Sequence, residues 1–463
     1  MSHASRYNVA VAGNAGETLL FNTATGAFAA LDTLAAAEYE QLADTQNGAA
    51  PAPERAGGLQ RQLEEAGFFT NSSPQEELAA VRRGFCAQRD DWSELTLALA
   101  PTYACNYRCP YCYETDVRCI PGKMDTRVMD GVMRFIQARH QQHAFTALSV
   151  QWYGGDPSLA LDVVEELSRL MIEWCAQHGV RYQAMMLSNC ARINQTAVVV
   201  LQRSKVTGML LTIDGFEQMH NQRRIAADGS NSYRRVLNAA RLFVERGMQV
   251  SAIMNIDRVN RPEFEPLRNH LRQELGVELT MGRLGDFAHS FGSRGFKEPE
   301  FCLYSPLEYA QLCADEFEAR EHSAAELQTL LAPALRFCNG QRDPYFVIDC
   351  RGDIYDCDGY IGRPEHRVAS ILDAEETIDG SSGAHPCCSQ LHFVSHDPFA
   401  SAECSACHLL PMCMGNCKWV RETDQMQCHP LLWTLPRYLR VYRHCFKAHT
   451  SGFTLLEQGQ GTS

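Results

Sequence analysis

The strongest constraint on the fold is a series of apolar, strand-like segments that recurs with helix-length spacers between Ser93 and Met281. The segments are LTLALA (95–100), LSVQWY (148–153), YQAMML (182–187), MLLTID (209–214), VSAIMN (250–255) and VELTM (277–281). One spacer, SYRRVLNAARLFVERG, sets Val236, Ala240, Phe243 and Val244 on one helical face and closes at Gly247. Strands separated by helical crossovers pair in parallel, with the helices packed outside. Six such units predict an α/β fold, a partial (β/α)6 barrel, with its functional groups at the carboxyl ends of the strands.

Two flanking regions break the alternation, and a chain of 463 residues has room for them as domains. Residues 1–90 read as a small α+β module. In it TLLFNTATGAFAAL forms two short strands around Thr23–Gly26, followed by helices near 33–45 and 58–67 with a loop at Asn47–Pro53. The barrel takes residues 93–300, and residues 301–463 form a loop-rich, cysteine-rich domain held by metal more than by a large core. Within it YFVID and DIYD, joined through Cys350-Arg351-Gly352, predict a hairpin.

Charge and cysteine content narrow the function. A net charge of -13 argues against a nucleic-acid partner, which needs clustered Lys and Arg. No apolar run approaches the roughly 20 residues of a membrane span, and the first twenty residues lack the basic start and apolar stretch of a secretion signal, so a cytoplasmic enzyme is expected. In that reducing compartment the 20 cysteines point to metal or redox chemistry instead of disulfides. The isolated Cys175, Cys190, Cys302 and Cys313 read as small buried hydrophobes.

Directly after the first strand, Cys105, Cys109 and Cys112 fall within eight residues. Three thiolates on a [4Fe–4S] cube leave one iron open for a non-protein ligand, which a cluster that binds a substrate-like cofactor requires. A zinc site is the alternative, but structural zinc takes four ligands, and no fourth is evident nearby. The segment CNYRCPYC, with Tyr111 before the third cysteine, resembles the CxxxCxxC signature of radical S-adenosylmethionine enzymes. The resemblance implies that S-adenosylmethionine binds the open iron and is cleaved reductively to a 5′-deoxyadenosyl radical that abstracts hydrogen from a substrate.

Further stretches fit the same family. Gly154-Gly155-Asp156-Pro157 resembles its GGEP motif, implying that backbone and acid meet the methionine amino group, with Asp156 one methylene shorter than Glu. Glycines there would permit close backbone approach to the ligand. Ser188-Asn189-Cys190 resembles the TNG stretch near the ribose, with Cys190 where Gly is usual. Ile213-Asp214-Gly215 with His220–Arg224 resembles the SxDG…HDxxR segment, implying that Arg224 grips the cofactor carboxylate, while Arg223 reads as part of a solvated loop.

Eleven of the cysteines lie between 338 and 445. Cys338, Gly352, Cys357, then Cys404-x2-Cys407-x5-Cys413-x3-Cys417 and Cys428 closely resemble the SPASM pattern of radical enzymes that modify peptides. The resemblance implies two auxiliary [4Fe–4S] clusters, the first on Cys338, Cys357 and Cys417, the second on Cys404, Cys407, Cys413 and Cys428. Cys445 is an alternative last ligand; Cys350 or the pair Cys387-Cys388 is a candidate fourth ligand of the first cluster, and an open iron is the other possibility. A zinc ribbon is the alternative for the CxxC pair. Asp358 matches a position where sulfatase-maturing relatives carry a proposed base; the alternative is a surface acid beside Asp353 and Asp356.

The expected function is modification of a peptide or protein side chain by oxidation or cross-linking. Formylglycine formation in a sulfatase is the alternative, and a non-catalytic cluster protein that binds peptide the alternative of another class. The expected partners are a precursor peptide or protein and an electron donor such as flavodoxin or ferredoxin. The N-terminal module is expected either to engage that peptide, by strand addition at a sheet edge, or to cap the barrel. The residue attacked, the bond formed and the oligomeric state are left open.

Overall fold

The computed structural model describes residues 2–14, 16–44, 56–115, 117, 120–285, 301–372, 397–417, 420–421, 428–445 and 453–455. The expected loop at 47–53 and the pair Cys387-Cys388 lie outside the described residues.

The N-terminal region runs through β1 (His3–Ala4), β2 (Asn8–Ala12), β3 (Thr18–Asn22), β4 (Phe28–Leu31), α1 (Thr33–Asp44), α2 (Ala56–Glu65), β5 (Phe69–Thr70) and α3 (Pro74–Arg89). Strands β2, β3 and β4 form an antiparallel meander, turned at the expected Thr23–Gly26. Leu19, Phe21, Phe28 and Ala30 face one apolar cluster, and Leu20, Ala29 and Leu31 face another, so both faces of the sheet are buried. That explains why TLLF and FAAL read as continuous apolar runs without alternation.

The barrel follows as β6 (Glu94–Leu99), α4 (Thr126–His143), β7 (Ala147–Trp152), α5 (Leu161–His178), β8 (Arg181–Ser188), α6 (Gln195–Arg203), β9 (Val206–Thr212), α7 (Glu217–Arg223), α8 (Ser232–Glu245), β10 (Gln249–Ile256), α9 (Phe264–Leu275) and β11 (Glu278–Arg283). Each strand from β6 to β11 pairs in parallel with the next. The six strands and their outer helices are the expected partial (β/α)6 barrel. Helix α8 ends as read, with Gly247 at φ 69° and Met248 N–H closing on the Phe243 carbonyl at 3.0 Å. Its buried stripe is Val236, Leu237, Ala240 and Phe243; Val244 is 37% exposed, because the 3.6-residue period carries it off that stripe.

After α10 (Pro306–Glu318) and α11 (Ala324–Leu331), the hairpin of β12 (Tyr345–Ile348) and β13 (Asp353–Tyr355) forms as expected, with Val347 opposite Tyr355. It does not stand apart. β12 pairs in parallel with β6, so the barrel sheet continues through β12 and β13 to β14 (Ala369–Ser370) in the order β11-β10-β9-β8-β7-β6-β12-β13-β14. The C-terminal helix Leu431–Cys445 packs Leu435, Leu439 and Tyr442 on the N-terminal sheet, with the Tyr442 and Phe28 rings 4.8 Å apart. Beyond it β15 (Phe453–Leu455) adds to β4.

Candidate active site

The cysteine loop leaves the carboxyl end of β6 and is tied on both sides by backbone. Thr102 Oγ1 donates to the Gly122 carbonyl at 2.7 Å, and Tyr103 reaches Asp349 with its hydroxyl. Arg108 N–H donates to the Ile225 carbonyl at 2.7 Å, and Ala227 N–H to that of Asn106 at 2.8 Å. Cys105, Cys109 and Cys112 thereby share one apolar cluster with Tyr107, Tyr111 and Ala226. Burial pushes the Cys105 thiol up to about 11, with Asp156 and Cys109 adding to it, and burial also raises Cys112. Thiols so placed become thiolates only with a cation to balance them. Among the described residues no trio of Cys, His, Asp or Glu converges as a single-ion site would require.

The Gly-Gly-Asp-Pro turn follows β7. A Cβ at Gly155 would lie 2.1 Å from the Tyr103 carbonyl oxygen, and one at Gly154, where φ is 98°, 2.7 Å from Ala100 Cβ. These glycines let the turn press against the cysteine loop itself. Asp156 N–H then donates to the Ala104 carbonyl at 2.9 Å. The Asp156 carboxylate is 0% exposed, and its Oδ1 accepts from Ser188 Oγ at 2.7 Å and Ser158 N–H at 3.1 Å. Its Oδ2 is buried with no hydrogen-bond partner among the described residues, and burial raises its pKa. A buried, half-satisfied carboxylate costs stability unless a donor completes it, and a ligand ammonium is a suitable donor.

Ser188 and Asn189, at the end of β8, serve the site through the protein. Ser188 holds Asp156, while Asn189 Nδ2 donates to Asn106 Oδ1 at 2.9 Å and approaches Cys105 Sγ at 3.6 Å. Cys190, in the place where glycine is usual, stands at φ 61°. That left-handed backbone is the reason for the family's glycine.

Arg224, at the end of α7, donates to the Tyr111 hydroxyl at 2.8 Å and stands 4.0 Å from Asp214 Oδ2. Its Nε is buried without a partner among the described residues, and Cys109 is one of the groups acting on its charge. Tyr111 also donates to Asp214, so this aromatic is clamped between β9 and α7. Arg223 departs from the expected solvated loop. It is buried, paired with Asp257 at 3.1 Å and bonded to the Asn255 carbonyl at 3.2 Å, with its guanidinium 4.7 Å from the Phe301 ring centre.

Cys338, Cys357 and Cys417 act electrostatically on one another, and burial pushes Cys338 up to about 12. Cys404 and Cys407 act in the same way on both Cys413 and Cys428. Cys445 ends a 15-residue helix that begins just after Cys428, which carries it about 22 Å along the axis. Cys350 is buried in the barrel core beside Asp349 and Tyr103. Of the isolated cysteines, Cys175 and Cys190 are buried, Cys313 is half-buried, and Cys302 departs from expectation by being exposed.

Asp358 is half-buried, not on an open acidic surface: its carboxylate is 3.6 Å from Cys357 Sγ, burial raises its pKa, and Asp356 beside it is also buried. Sequence reasoning assigned no role to Tyr153. Its hydroxyl is buried without a partner among the described residues, and burial followed by Asp358, Cys112, Cys357 and Tyr345 holds its pKa well above the ordinary value. Its hydroxyl thus feels charge from both Cys112 and Cys357. Its one signal in the sequence is its place directly before Gly154.

Residues 99–271 match the Radical SAM superfamily, so the chain carries that domain, whose cofactors are S-adenosylmethionine and a [4Fe–4S] cluster. Among its relatives, a cysteine-type anaerobic sulfatase-maturating enzyme of Clostridium perfringens is 21% identical over 375 residues, 76% of this chain and 96% of that protein. The solved structure of native anSMEcpe with bound AdoMet matches with a TM-score of 0.59 at 19% identity, covering 76% of this chain and 99% of that one. Streptococcus suis SuiB matches over 91% of this chain and 97% of its own, with a TM-score of 0.50 at 14% identity. These likenesses establish the fold.

Proposed function

We propose that the chain is a radical SAM maturase that modifies a side chain of a peptide or protein by oxidation or cross-linking. The observation that carries this reading is the second cysteine-rich stretch, Cys338 to Cys428, that follows the loop of Cys105, Cys109 and Cys112. A radical enzyme that oxidises its substrate has a second electron to remove, and auxiliary clusters held by these cysteines would supply an acceptor for it. The related C. perfringens protein is named for sulfatase maturation, and one structure of anSMEcpe holds a Cp18Cys peptide.

In this reading Cys105, Cys109 and Cys112 hold the initiating cluster. Cys338, Cys357 and Cys417 hold the first auxiliary cluster, and Cys404, Cys407, Cys413 and Cys428 the second. S-adenosylmethionine supplies, on reduction, the 5′-deoxyadenosyl radical that removes hydrogen from an unactivated carbon. The chain's own groups prepare that event. Asp156, held by Ser188, offers its free Oδ2 to the cofactor ammonium. Arg224 takes the carboxylate, fixed from behind by Tyr111 and Asp214. Gly154, Gly155 and Asn189 keep the cysteine loop in register with both. Asp358, whose pKa is raised by burial, serves as the base for the substrate proton.

The chain works in the cytoplasm with a flavodoxin- or ferredoxin-type donor; no described helix is long and apolar enough to cross a membrane. Residues 1–90 form the peptide-engaging module, 93–300 the catalytic barrel and 301–463 the auxiliary-cluster domain. The test is anaerobic incubation of the reconstituted protein with candidate peptides, read by mass spectrometry. A cross-linked or oxidised product other than an aldehyde supports the leading reading. Aldehyde formation in a sulfatase-motif peptide would instead make the chain a sulfatase maturase, the reading that its relative's name favours.

A further inference from the structure

Phe301 and Tyr304 lie on the stretch that leads from the barrel into α10, and the catalytic reading gives them no task. Phe301 belongs to no strand or helix, yet it is only 4% exposed. Its ring is buried against two side chains of the candidate site. The Arg223 guanidinium lies 4.7 Å from the ring centre, and the Tyr111 ring meets it edge-on, with centres 6.0 Å apart and planes at 86°. The same guanidinium is 5.7 Å from the Tyr111 ring centre. One buried cation thus rests against two aromatic rings.

Arg223 has reason to keep both. Its hydrogen bonds go to Asp257 and to the Asn255 carbonyl, while its buried Nε has no hydrogen-bond partner among the described residues. A desolvated guanidinium with an unsatisfied N–H is costly, and aromatic faces attract a cation most strongly where water is excluded. Removing one ring therefore changes how Arg223 rests against the other. Tyr111 carries that position onward, because its hydroxyl is bonded to Asp214 and accepts from Arg224 at 2.8 Å.

The stretch itself is seated by the loop that follows β10. Asp257 of that loop holds Arg223. The next residue, Arg258, donates its N–H to the Cys302 carbonyl at 2.8 Å and sets its guanidinium 4.8 Å from the Tyr304 ring centre. Asn260 Nδ2 donates to the Asp214 carbonyl at 3.1 Å. One loop therefore fixes Phe301, Arg223 and Asp214 relative to one another.

We propose that Phe301 is a positioning residue for S-adenosylmethionine: by bracing Arg223 against Tyr111, it holds the Tyr111 hydroxyl where Arg224 presents its guanidinium to the cofactor carboxylate. Cofactor affinity then depends on how residues 301–304 are seated, and not only on the residues of the three strand-end motifs. This rests on the reading of Arg224 as the partner of that carboxylate.

The test is anaerobic equilibrium dialysis of the reconstituted full chain with S-adenosylmethionine. Phe301→Leu keeps apolar volume and removes the ring; its dissociation constant should rise roughly fivefold or more, with iron content unchanged. Phe301→Tyr keeps the ring and should bind within about twofold of the intact chain. A smaller rise in the leucine variant, or an equal loss in both, overturns the proposal. Should Phe301→Leu not fold or not hold its iron, Tyr304→Leu decides, because Tyr304 seats the same stretch from the far side of Arg258. Its dissociation constant should rise roughly threefold or more, and a smaller rise overturns the proposal. Arg224→Ala separates the two possible failures. If it binds as tightly as the intact chain, the reading of Arg224 fails and takes the proposal with it. If it binds weakly while Phe301→Leu does not, the reading stands and the proposal alone falls.

Discussion

Gly155 and Asp156 are adjacent, and each is fixed for a different reason. A methyl group at Gly155 meets the carbonyls of Tyr103 and Ala104, 2.1 and 2.5 Å away, so Gly155→Ala must push the cysteine loop outward. Thermal denaturation should register a loss of about 1–3 kcal/mol, and iron bound at the loop should fall with it. Asp156→Asn retains the shape but removes the charge from the buried Oδ2. S-adenosylmethionine binding should weaken roughly tenfold or more, as read by equilibrium dialysis, with the fold intact; unchanged affinity would remove Asp156 from the cofactor site. The cysteine loop and the turn at Gly154–Asp156 were legible because clustered cysteines and glycine turns leave a local pattern in the sequence. Arg223 was not, since its partner Asp257 is 34 residues away and only the fold brings them together. Because both are buried, Arg223→Ala leaves an unpaired acid and should cost about 3–5 kcal/mol in chemical denaturation.

Among the elements, the apolar strand-like runs and the 3.6-residue pattern located all six barrel strands and the spacer helix α8 nearly to their ends. Local chemistry also set where α8 stops. Gly247 at φ 69° carries the closing turn, and Gly247→Ala should destabilise the chain by about 1 kcal/mol. A urea melt indistinguishable from that of the intact chain would contradict the closure. The hairpin of β12 and β13 was equally visible, but its attachment to β6 was not. Periodicity tells which face of a strand is buried, not which distant edge it joins, and both edges of an apolar strand look alike in sequence. The same gap hid β15, three residues whose assignment depends wholly on β4.

Across the molecule, elements from the N- and C-terminal regions share one sheet. The C-terminal helix packs on the N-terminal sheet, β15 extends that sheet, and β12 to β14 extend the barrel, so the three regions read from sequence share surfaces. The cysteine spacing suggests two auxiliary groups; the fold sets Cys428, which Cys404 and Cys407 influence, apart from Cys445 at the far end of its helix. Cys413→Ala should therefore remove iron equivalent to one cluster and lower the melting temperature, whereas Cys445→Ala should do neither. The central claim is that the loop of Cys105, Cys109 and Cys112 initiates radical chemistry from S-adenosylmethionine. Its most direct test is chromatographic detection of 5′-deoxyadenosine after anaerobic reconstitution and reduction. The intact chain should form it, and Cys109→Ala should lose it while retaining the iron of the auxiliary clusters. No 5′-deoxyadenosine from the intact chain, or an undiminished yield from Cys109→Ala, would contradict the account.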